Sequence, residues 1–330
     1  MSEPGAREAL GWTPALTEAL ELLGDPALAG MRVVLSERGA FTVSDGTDDL
    51  AAVLPGRLRH RAAARDLPAV GDWVAVRRTP SADLIEAVLP RTSVLARRDP
   101  DQKTEQVLVA NADRALLVMG LDGDYNVRRL ERYLTLVAAA GVAPVIVLSK
   151  ADLDPASVPA RRAEVEAVAP GAPVLTANLL AAEAAAAVAA ELPPRSTAVL
   201  LGSSGAGKST LLNALAGDEV QRTAPVRGHD SRGRHTTVRR QLFRLPGGAL
   251  VIDTPGMREL EPWRAADGLD DSFADVTAAA AGCRFRDCGH AAEPDCAVRV
   301  AVEQGTLPAE RVAAYQKLRG GRTRGGSRSE

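Results

Sequence analysis

The sequence predicts a multidomain protein: a small β-barrel near the N-terminus, a central α/β domain, and a small, mostly α domain at the C-terminus. Between residues 31 and 98, short apolar runs alternate with turn residues, as in a barrel of short strands. Across 104–264, apolar strand-like runs alternate with helical patterns, which is typical of βαβ units and a mostly parallel sheet. The last segment, 265–330, holds all three cysteines and ends in a helical pattern followed by a basic tail.

The bulk composition narrows the class of protein. The 330 residues, 46% of them apolar, suffice for several domains that each bury a core. No apolar run approaches the roughly 18–20 residues that a membrane span needs, and the first residues lack the order of a signal peptide. We therefore expect a cytoplasmic protein without a membrane partner. The net charge of −2 excludes a uniformly basic nucleic-acid binder, so affinity for RNA must come from the arginine-rich segments 221–240 and 311–330.

Residues 1–30 are predicted to be a leader with one helix. Thr13 suits an N-cap, Pro14 suits the first helical turn, and Gly24 ends the pattern. The apolar runs of 31–98 then have the size of a five-stranded oligonucleotide-binding (OB) barrel. An SH3-like barrel or a purely structural barrel would produce the same pattern, and these alternatives stay open.

The stretch GSSGAGKS, residues 202–209, fits the phosphate-binding pattern G-x-x-x-x-G-K-[ST]. It follows the apolar run TAVLL and precedes the helical pattern STLLNAL, which is the strand–loop–helix context that this motif requires. Backbone N–H groups of Ser204 to Ser209 would surround a β-phosphate at the positive end of the helix. Lys208 would bridge the β- and γ-phosphates, and the Ser209 hydroxyl would bind Mg²⁺.

A second element of the phosphate site is DTPG, residues 253–256, which ends the apolar run ALVI. Asp253 would hold Mg²⁺ through water, and the Gly256 N–H would contact the γ-phosphate. Between the phosphate loop and DTPG lies GRHTT, in which Thr236 or Thr237 would complete the Mg²⁺ shell. The sequence does not decide between the two threonines.

The residue after DTPG is Met257, at the position where many GTPases place a glutamine that orients water. Methionine has neither a donor nor an acceptor for that task, so hydrolysis needs another group. His235 is the candidate catalytic residue, because a neutral imidazole beside the γ-phosphate could orient water or deliver a proton. A solvated loop histidine without a catalytic role is the alternative.

Guanine recognition is predicted for SKAD, residues 149–152, which resembles the Asn-Lys-x-Asp element of guanine-specific sites. The Asp152 carboxylate would accept the N1–H and N2–H of guanine, which adenine cannot supply. The Lys150 stem would lie over the ring. Ser149 replaces the asparagine that braces the phosphate loop, a departure that bears on affinity more than on base choice. TAN, residues 176–178, fits the loop whose backbone N–H meets guanine O6.

These motifs come in an unusual order along the chain, because the base-reading motifs precede the phosphate loop. In a parallel sheet the ligand lies across the C-terminal ends of the strands, whatever the order in which those strands are threaded. The sequence therefore predicts a circularly permuted P-loop GTPase domain. Its DTPG element runs directly into the C-terminal domain.

Four candidate metal ligands lie within one short loop: Cys283, Cys288, His290 and Cys296. Three thiolates and one imidazole form a closed tetrahedral Zn²⁺ site, which would stabilise a small domain with little core. No coordination position stays open for catalysis, so we expect one structural zinc per chain. Reduced core thiols or a disulfide are the alternatives, and the cytoplasm disfavours the second.

A barrel, a permuted GTPase and a Cys₃His zinc domain in this order resemble the RsgA family, the small ribosomal subunit biogenesis GTPases. The similarity spans roughly residues 31 to 318 and includes EQVLVANAD, GRHTT, the spacing C-x₄-C-x-H-x₅-C and YQKL. It implies a cytoplasmic enzyme, expected to be monomeric, that hydrolyses GTP to GDP and phosphate. It also implies binding to the maturing small subunit and its rRNA, stimulation by the subunit, and release after hydrolysis.

The resemblance also assigns nucleotide contacts residue by residue to the base loop and the phosphate loop. Thr176 and Ala177 are added from the loop expected to meet guanine O6. The predicted nucleotide-binding residues are then Ser149, Lys150, Ala151, Asp152, Thr176, Ala177, Gly202, Ser203, Ser204, Gly205, Ala206, Gly207, Lys208, Ser209 and Thr210. The γ-phosphate and Mg²⁺ elements add Thr236, Thr237, Asp253 and Gly256.

Two functions of other classes stay open. One is a nucleotide-gated RNA-binding adaptor with negligible hydrolysis, suggested by Met257 and Ser149. The other is a P-loop ATPase or kinase in which SKAD is accidental. Multiple-turnover GTP hydrolysis separates the adaptor from the enzyme, and competition of GTP by ATP would expose the ATPase or kinase.

Overall fold

The computed structural model describes residues 5–37, 40–56, 58, 63–98, 105–179, 182–217, 240–254, 273–285 and 288–320. In these ranges the barrel, the α/β sheet and the C-terminal helices follow one another in the predicted order. None of the helices in the same ranges has the length and apolar character needed to cross a membrane.

Two helices precede the barrel, α1 over Ala6–Ala9 and α2 over Pro14–Glu21. The second is the predicted leader helix, and Thr13 is its N-cap residue. The segment between them packs on the barrel, since the Trp12 and Trp73 rings meet edge to face with centroids 4.8 Å apart. The leader is therefore part of the folded unit.

Five strands form the barrel: β1 Leu28–Glu37, β2 Ala40–Ser44, β3 Asp49–Val53, β4 Trp73–Arg78 and β5 Asp83–Val88. They pair in the order β1-β2-β3-β5-β4, and β4 pairs back with β1, so the barrel closes. Only the pair of β3 with β5 is parallel among the five. This is the predicted five-stranded OB barrel. Its core includes Met31, Val33, Val43, Val74 and Ile85.

The central sheet is parallel with one antiparallel edge. A separate hairpin of β6 (Val94–Arg98) and β7 (Glu105–Ala110) leads into it. The strands of the central sheet are β8 Arg114–Gly120, β9 Ala143–Ser149, β10 Val174–Ala177, β11 Thr197–Leu201, β12 Arg240–Arg244 and β13 Leu250–Asp253. They lie in the order β10-β9-β8-β11-β13-β12, and only β12 runs antiparallel. Near-continuous apolar runs are expected here, because both faces of such a sheet are covered.

Helices cover both faces: α3 Val127–Ala139, α4 Val158–Val168, α5 Ala182–Ala190 and α6 Lys208–Ala216. Asn126 is the N-cap of α3: its side-chain oxygen accepts the Arg129 N–H at 2.9 Å. Residues of α3 and α4 share one core with the barrel, whereas those of α5 and α6 form a second core. The arrangement is the doubly wound sheet expected of a nucleotide-binding domain.

The barrel and the central sheet are joined more closely than a chain of separate domains would be. Strand β1 pairs with β12, so one eleven-stranded sheet runs through both. At this junction Arg32 is fully buried and donates to the Gly71 carbonyl at 3.2 Å and the Thr197 hydroxyl at 2.9 Å. Burial lowers the pKa of Arg32 to about 10, so the guanidinium stays charged near neutral pH. We therefore expect the barrel and the central domain to move as one body.

In the described part of the C-terminal domain, residues 273–285 and 288–320, the helices are α7 Ala274–Ala280, α8 Ala297–Glu303 and α9 Ala309–Gly320. Its apolar core is small and includes Phe273, Val276, Val298, Leu307, Val312 and Tyr315. It is tied to the central domain by Arg311, which donates to Asp275 of α7 at 2.8 Å and lies 3.5 Å from Glu131 of α3.

Candidate nucleotide site and metal centre

The phosphate loop lies between β11 and α6, as its motif requires. Glycine is needed at both ends of the loop. A Cβ on Gly202 would lie 2.3 Å from the Val118 carbonyl oxygen, and Gly207 has a φ of +100° with a Cβ position 2.9 Å from Leu179 Cδ1. The Lys208 ammonium donates to the carbonyl of Gly202 at 2.8 Å. It thus lies inside the loop, where a phosphate would meet it.

Strand pairing brings the end of β13 to the phosphate loop. Asp253 is in register with Leu200 of β11, and the next residue, Thr254, donates its hydroxyl to the Leu200 carbonyl at 3.0 Å. Asp253 is only 5% exposed. Ser209 lies in the first turn of α6, which starts from the same edge of the sheet. The carboxylate and the hydroxyl predicted to share Mg²⁺ therefore belong to two neighbouring elements.

The base-reading loop contacts the phosphate loop directly. Ser149 ends β9, is fully buried, and donates its hydroxyl to the Ala206 carbonyl at 2.6 Å. This is the bracing that the sequence assigns to the asparagine which Ser149 replaces. A serine in this position keeps one hydrogen bond to the phosphate loop.

Asp152 and Lys150 differ in their surroundings. Asp152 is exposed, and its carboxylate makes no hydrogen bond or ion pair with the described residues. Lys150 has a φ of +59°, and its ammonium lies 2.5 Å from Asp122 Oδ2. Burial raises the pKa of Asp122, but the hydrogen bond and charge of Lys150 outweigh it and hold that pKa below its usual range. The lysine is therefore anchored at its tip, while the aspartate is available to a ligand.

The third predicted loop lies beside the second. Thr176 and Ala177 end β10, paired in parallel with Leu148 and Ser149 of β9. The Thr176 hydroxyl oxygen is buried and has no hydrogen-bond partner among the described residues. The predicted loop for guanine O6 thus begins at the same edge of the sheet as SKAD.

The loop after β8, residues 121–126, was missed by the sequence reasoning. Asp124 accepts the Ser203 hydroxyl of the phosphate loop at 2.5 Å, and it pairs with Arg129 of α3 at 2.7 Å. Asp122 holds Lys150, as described above. The available signal was position: two acids directly after a buried parallel strand lie at the edge where ligands bind. These acids belong to none of the motifs described above.

Four predicted site residues lie outside the described residues: His235, Thr236, Thr237 and Gly256. Met257 and most of the arginine-rich segments, residues 221–239 and 321–330, do so too. Their assigned roles stay predictions.

The predicted metal ligands converge. The ligand atoms of Cys283, Cys288, His290 and Cys296 all lie within 4.8 Å of one another. The Cys283 and Cys296 sulfurs are 3.9 Å apart, and His290 Nδ1 lies 3.6 and 3.5 Å from them. Zn–S bonds of about 2.3 Å and Zn–N bonds of about 2.0–2.1 Å in a tetrahedron imply separations of roughly 3.8 and 3.5 Å. The geometry therefore fits Zn²⁺, and it excludes a disulfide, which needs about 2.05 Å.

The metal loop is held by its own backbone and by the last helix. Glu293 accepts N–H groups of Gly289, Ala291 and Ala292 at 2.8 to 3.1 Å. The backbone N–H of Glu293 itself, together with these three donors, lowers the pKa of the Glu293 carboxyl to about 2. Gln316 of α9 donates to the His290 carbonyl at 2.6 Å. The loop is thus ordered around the four ligands by contacts that do not involve a metal.

The phosphate loop follows a central parallel strand, and the guanine-type loop lies two strands away in the sheet but earlier in the chain. This arrangement defines a circularly permuted P-loop GTPase. Comparison with known proteins agrees. The model of the RsgA GTPase family matches residues 88–263. The small ribosomal subunit biogenesis GTPase RsgA of Opitutus terrae is 45% identical over 326 residues, covering 94% of this chain and 88% of the relative. The chain therefore belongs to the RsgA family of ribosome-biogenesis GTPases and is a GTP hydrolase.

Other relatives agree with this assignment. The RsgA protein of Xanthomonas axonopodis pv. citri is 46% identical over 297 residues, covering 89% of this chain and 81% of the relative. YjeQ from Thermotoga maritima has the same fold, with a TM-score of 0.66 at 24% identity over 88% of this chain and 97% of its own. YloQ, a circularly permuted GTPase, has a TM-score of 0.62 at 24% identity over 92% and 97%. Family membership favours the enzyme over the adaptor and over the ATPase or kinase.

Proposed function

We propose that the protein hydrolyses GTP during late maturation of the small ribosomal subunit in the cytoplasm. It binds the maturing subunit and its rRNA as a monomer, is stimulated by the subunit, and is released after hydrolysis. The observation that carries the proposal is the contact of Ser149 with Ala206, at 2.6 Å. It supports one continuous site, made of loops that lie far apart in the sequence and meet at one edge of the sheet.

In this proposal the nucleotide spans the edge from β10 to β11. Asp152 accepts the guanine N1–H and N2–H, and the backbone after Thr176 meets O6. At the other end, backbone N–H groups of the phosphate loop hold the β-phosphate at the start of α6. Lys208 would exchange its contacts with the Gly202 and Ser203 carbonyls for the β- and γ-phosphates.

The residues at the phosphate end suit Mg²⁺, because hydroxyl and carboxylate oxygens are the protein ligands that this hard cation accepts. Ser209 and Asp253 would hold it, with Thr236 or Thr237 as a further ligand. Mg²⁺ bound there would neutralise charge on the β- and γ-phosphate oxygens. His235 would orient the attacking water, since Met257 offers no hydrogen bond for that task.

The zinc assignment belongs to the same proposal. Three thiolates and an imidazole fill a tetrahedral shell, so the metal would be structural. Helix α9 lies on the metal loop through Gln316 and on α3 through Arg311. A zinc-stabilised domain would thereby keep a fixed position beside the GTPase domain, where the DTPG element enters it.

The most direct test is GTP turnover against added, purified small ribosomal subunits, with wild type and Lys208→Ala. We expect turnover to rise with small subunits and not with large subunits, and Lys208→Ala to abolish it. Thermal unfolding of the variant should match wild type, which separates loss of chemistry from loss of fold. Turnover that ignores small subunits would remove the ribosomal part of the proposal.

Base choice is tested by competition. A fluorescent GDP analogue should be displaced by GTP and GDP at far lower concentrations than by ATP. Asp152→Asn should weaken guanine binding and improve the relative binding of xanthine nucleotides, whose 2-oxo group accepts a hydrogen bond from the asparagine amide. ATP competing as well as GTP would refute the guanine assignment.

A further inference from the structure

The loop after β8 contacts both halves of the nucleotide site. It comprises residues 121–126 and is called the bridge loop here. Its two acids, Asp122 and Asp124, point to different partners: Asp122 binds Lys150 of the base-reading loop, and Asp124 binds Ser203 of the phosphate loop. The sequence analysis assigned neither acid a role.

The two acids are also bound to each other through the backbone. Asp122 Oδ1 accepts the Asp124 N–H at 3.1 Å, while its other oxygen meets the lysine. Asp124 in turn accepts the Gly120 N–H at 3.3 Å through Oδ2. Each carboxylate therefore uses both oxygens: one accepts a backbone N–H, of Asp124 for Asp122 and of Gly120 for Asp124, and the other binds a loop of the nucleotide site.

The Asp124 end is the more enclosed. Its side chain is 15% exposed, and it receives both the Ser203 hydroxyl and the Arg129 guanidinium on the same oxygen. A hydrogen bond to an ionised carboxylate is stronger than one between neutral groups. Ser203 directly follows Gly202, which has a φ of +151°, so fixing the Ser203 side chain restricts the start of the phosphate loop.

We propose that Asp124 and Asp122 are positioning residues. Asp124 fixes the phosphate loop through Ser203, and Asp122 fixes Lys150, the lysine proposed to lie over the base. In this proposal both acids act through Ser203 and Lys150 and not by direct contact with the nucleotide. The bridge loop pre-arranges the two loops so that little ordering is needed when GTP or GDP binds. This inference rests on the proposed function and adds to it the groups that set guanine-nucleotide affinity.

The expected effects follow from the contacts. Asp124→Asn keeps the shape but removes the charge, and Ser203→Ala removes the hydroxyl; each should weaken GDP binding about tenfold. Because both changes act on the same hydrogen bond, one by removing the charge of its acceptor and the other by removing its donor, the double variant should bind GDP no more than about twofold weaker than the weaker-binding single variant. Asp122→Asn should weaken it by roughly two- to fivefold, since the Lys150 pair is partly exposed.

The experiment is titration of a fluorescent GDP analogue into the full chain for these four variants and wild type. Ser203→Thr, which keeps the hydroxyl, should bind nearly as well as wild type. Glu166→Gln is the matched control, because it removes a carboxylate bound to Arg162 at 2.8 Å on the exposed face of α4. Its affinity should not change.

Thermal unfolding without nucleotide should be alike for all variants, whereas stabilisation by excess GDP should fall with the logarithm of the affinity. The inference is overturned if Asp124→Asn and Ser203→Ala leave affinity unchanged, or if their fold-losses multiply in the double variant. Tighter binding by Asp122→Asn would also overturn it, because the acid would then be holding Lys150 away from the base. Failure of wild type to prefer GDP over ADP would instead refute the proposed function.

Discussion

The buried charge cluster between the last helix and the GTPase domain allows a stability prediction. Arg311 is 6% exposed and Glu131 is 6% exposed, so neither can be hydrated where it lies. Replacing Arg311 by Met would leave the Glu131 carboxylate buried without its ion-pair partner, which costs about 3–5 kcal/mol. The charge of Arg128 stays nearby and places the expected loss toward the lower end of this range. Asp275 adds less to this cost, because its side chain is 39% exposed and can regain water.

The assay is hydrogen exchange of α9 amides, because a multidomain chain need not unfold in one step. A loss of about 3–5 kcal/mol corresponds to exchange that is faster by roughly two to three and a half orders of magnitude. Arg299→Met is the matched control, since its pair with Glu303 is exposed and 3.8 Å long. It should leave α9 exchange within about threefold of wild type.

The same variant should depend on pH in a defined direction. Burial raises the pKa of Glu131, and Arg311 opposes this rise. Without Arg311 the folded-state pKa of Glu131 rises further, so its destabilising effect is absent at low pH and grows as pH rises through that value. Relative to wild type, Arg311→Met should therefore lose less stability at about pH 5 than at about pH 8.

A double variant, Arg311→Met with Glu131→Gln, tests the cause. Removing the stranded charge should recover most of the loss. Unchanged exchange in Arg311→Met, or a double variant at least as unstable as the single one, would refute the reasoning.

Three further outcomes are expected. Ser149→Ala leaves the buried Ala206 carbonyl without its donor and should weaken GDP binding roughly tenfold, whereas Ser149→Thr should retain most of it; equal affinities in a fluorescence titration would contradict this. Gly207→Ala combines strained backbone with a 2.9 Å contact to Leu179, so GDP binding should fall by about tenfold or more, and wild-type affinity would contradict it. Cys288→Ser should lose zinc in elemental analysis and expose the C-terminal domain to protease; full zinc content would refute the four-ligand site.

Much of the fold could be predicted from the sequence because its signals are local. Apolar runs bounded by turn residues predicted the barrel and the parallel strands, and Thr13 predicted the start of the leader helix. The phosphate loop and the metal ligands were predicted for the same reason, since spacing within a short segment is imposed by the shape of a phosphate or a zinc ion.

Pairing between distant strands could not be predicted in the same way. Nothing in β1 indicates that Leu35 pairs with Gln241, some 200 residues later, or that the barrel and the central sheet share one core. Arg32 looks like one arginine among many in the sequence. Only its burial beside Gly71 and Thr197 identifies it as the link between the two domains.

The sequence by itself determined which chemical groups are available: a phosphate-loop motif, an aspartate predicted to read guanine and four predicted metal ligands. Each could be recognised because its residues are neighbours along the chain. The tertiary structure alone decided how these groups act together. It placed Ser149 against Ala206 and showed that Asp122 and Asp124 join the base loop to the phosphate loop. The physical reason is that side-chain contacts across a sheet depend on strand order and register, which long-range packing selects.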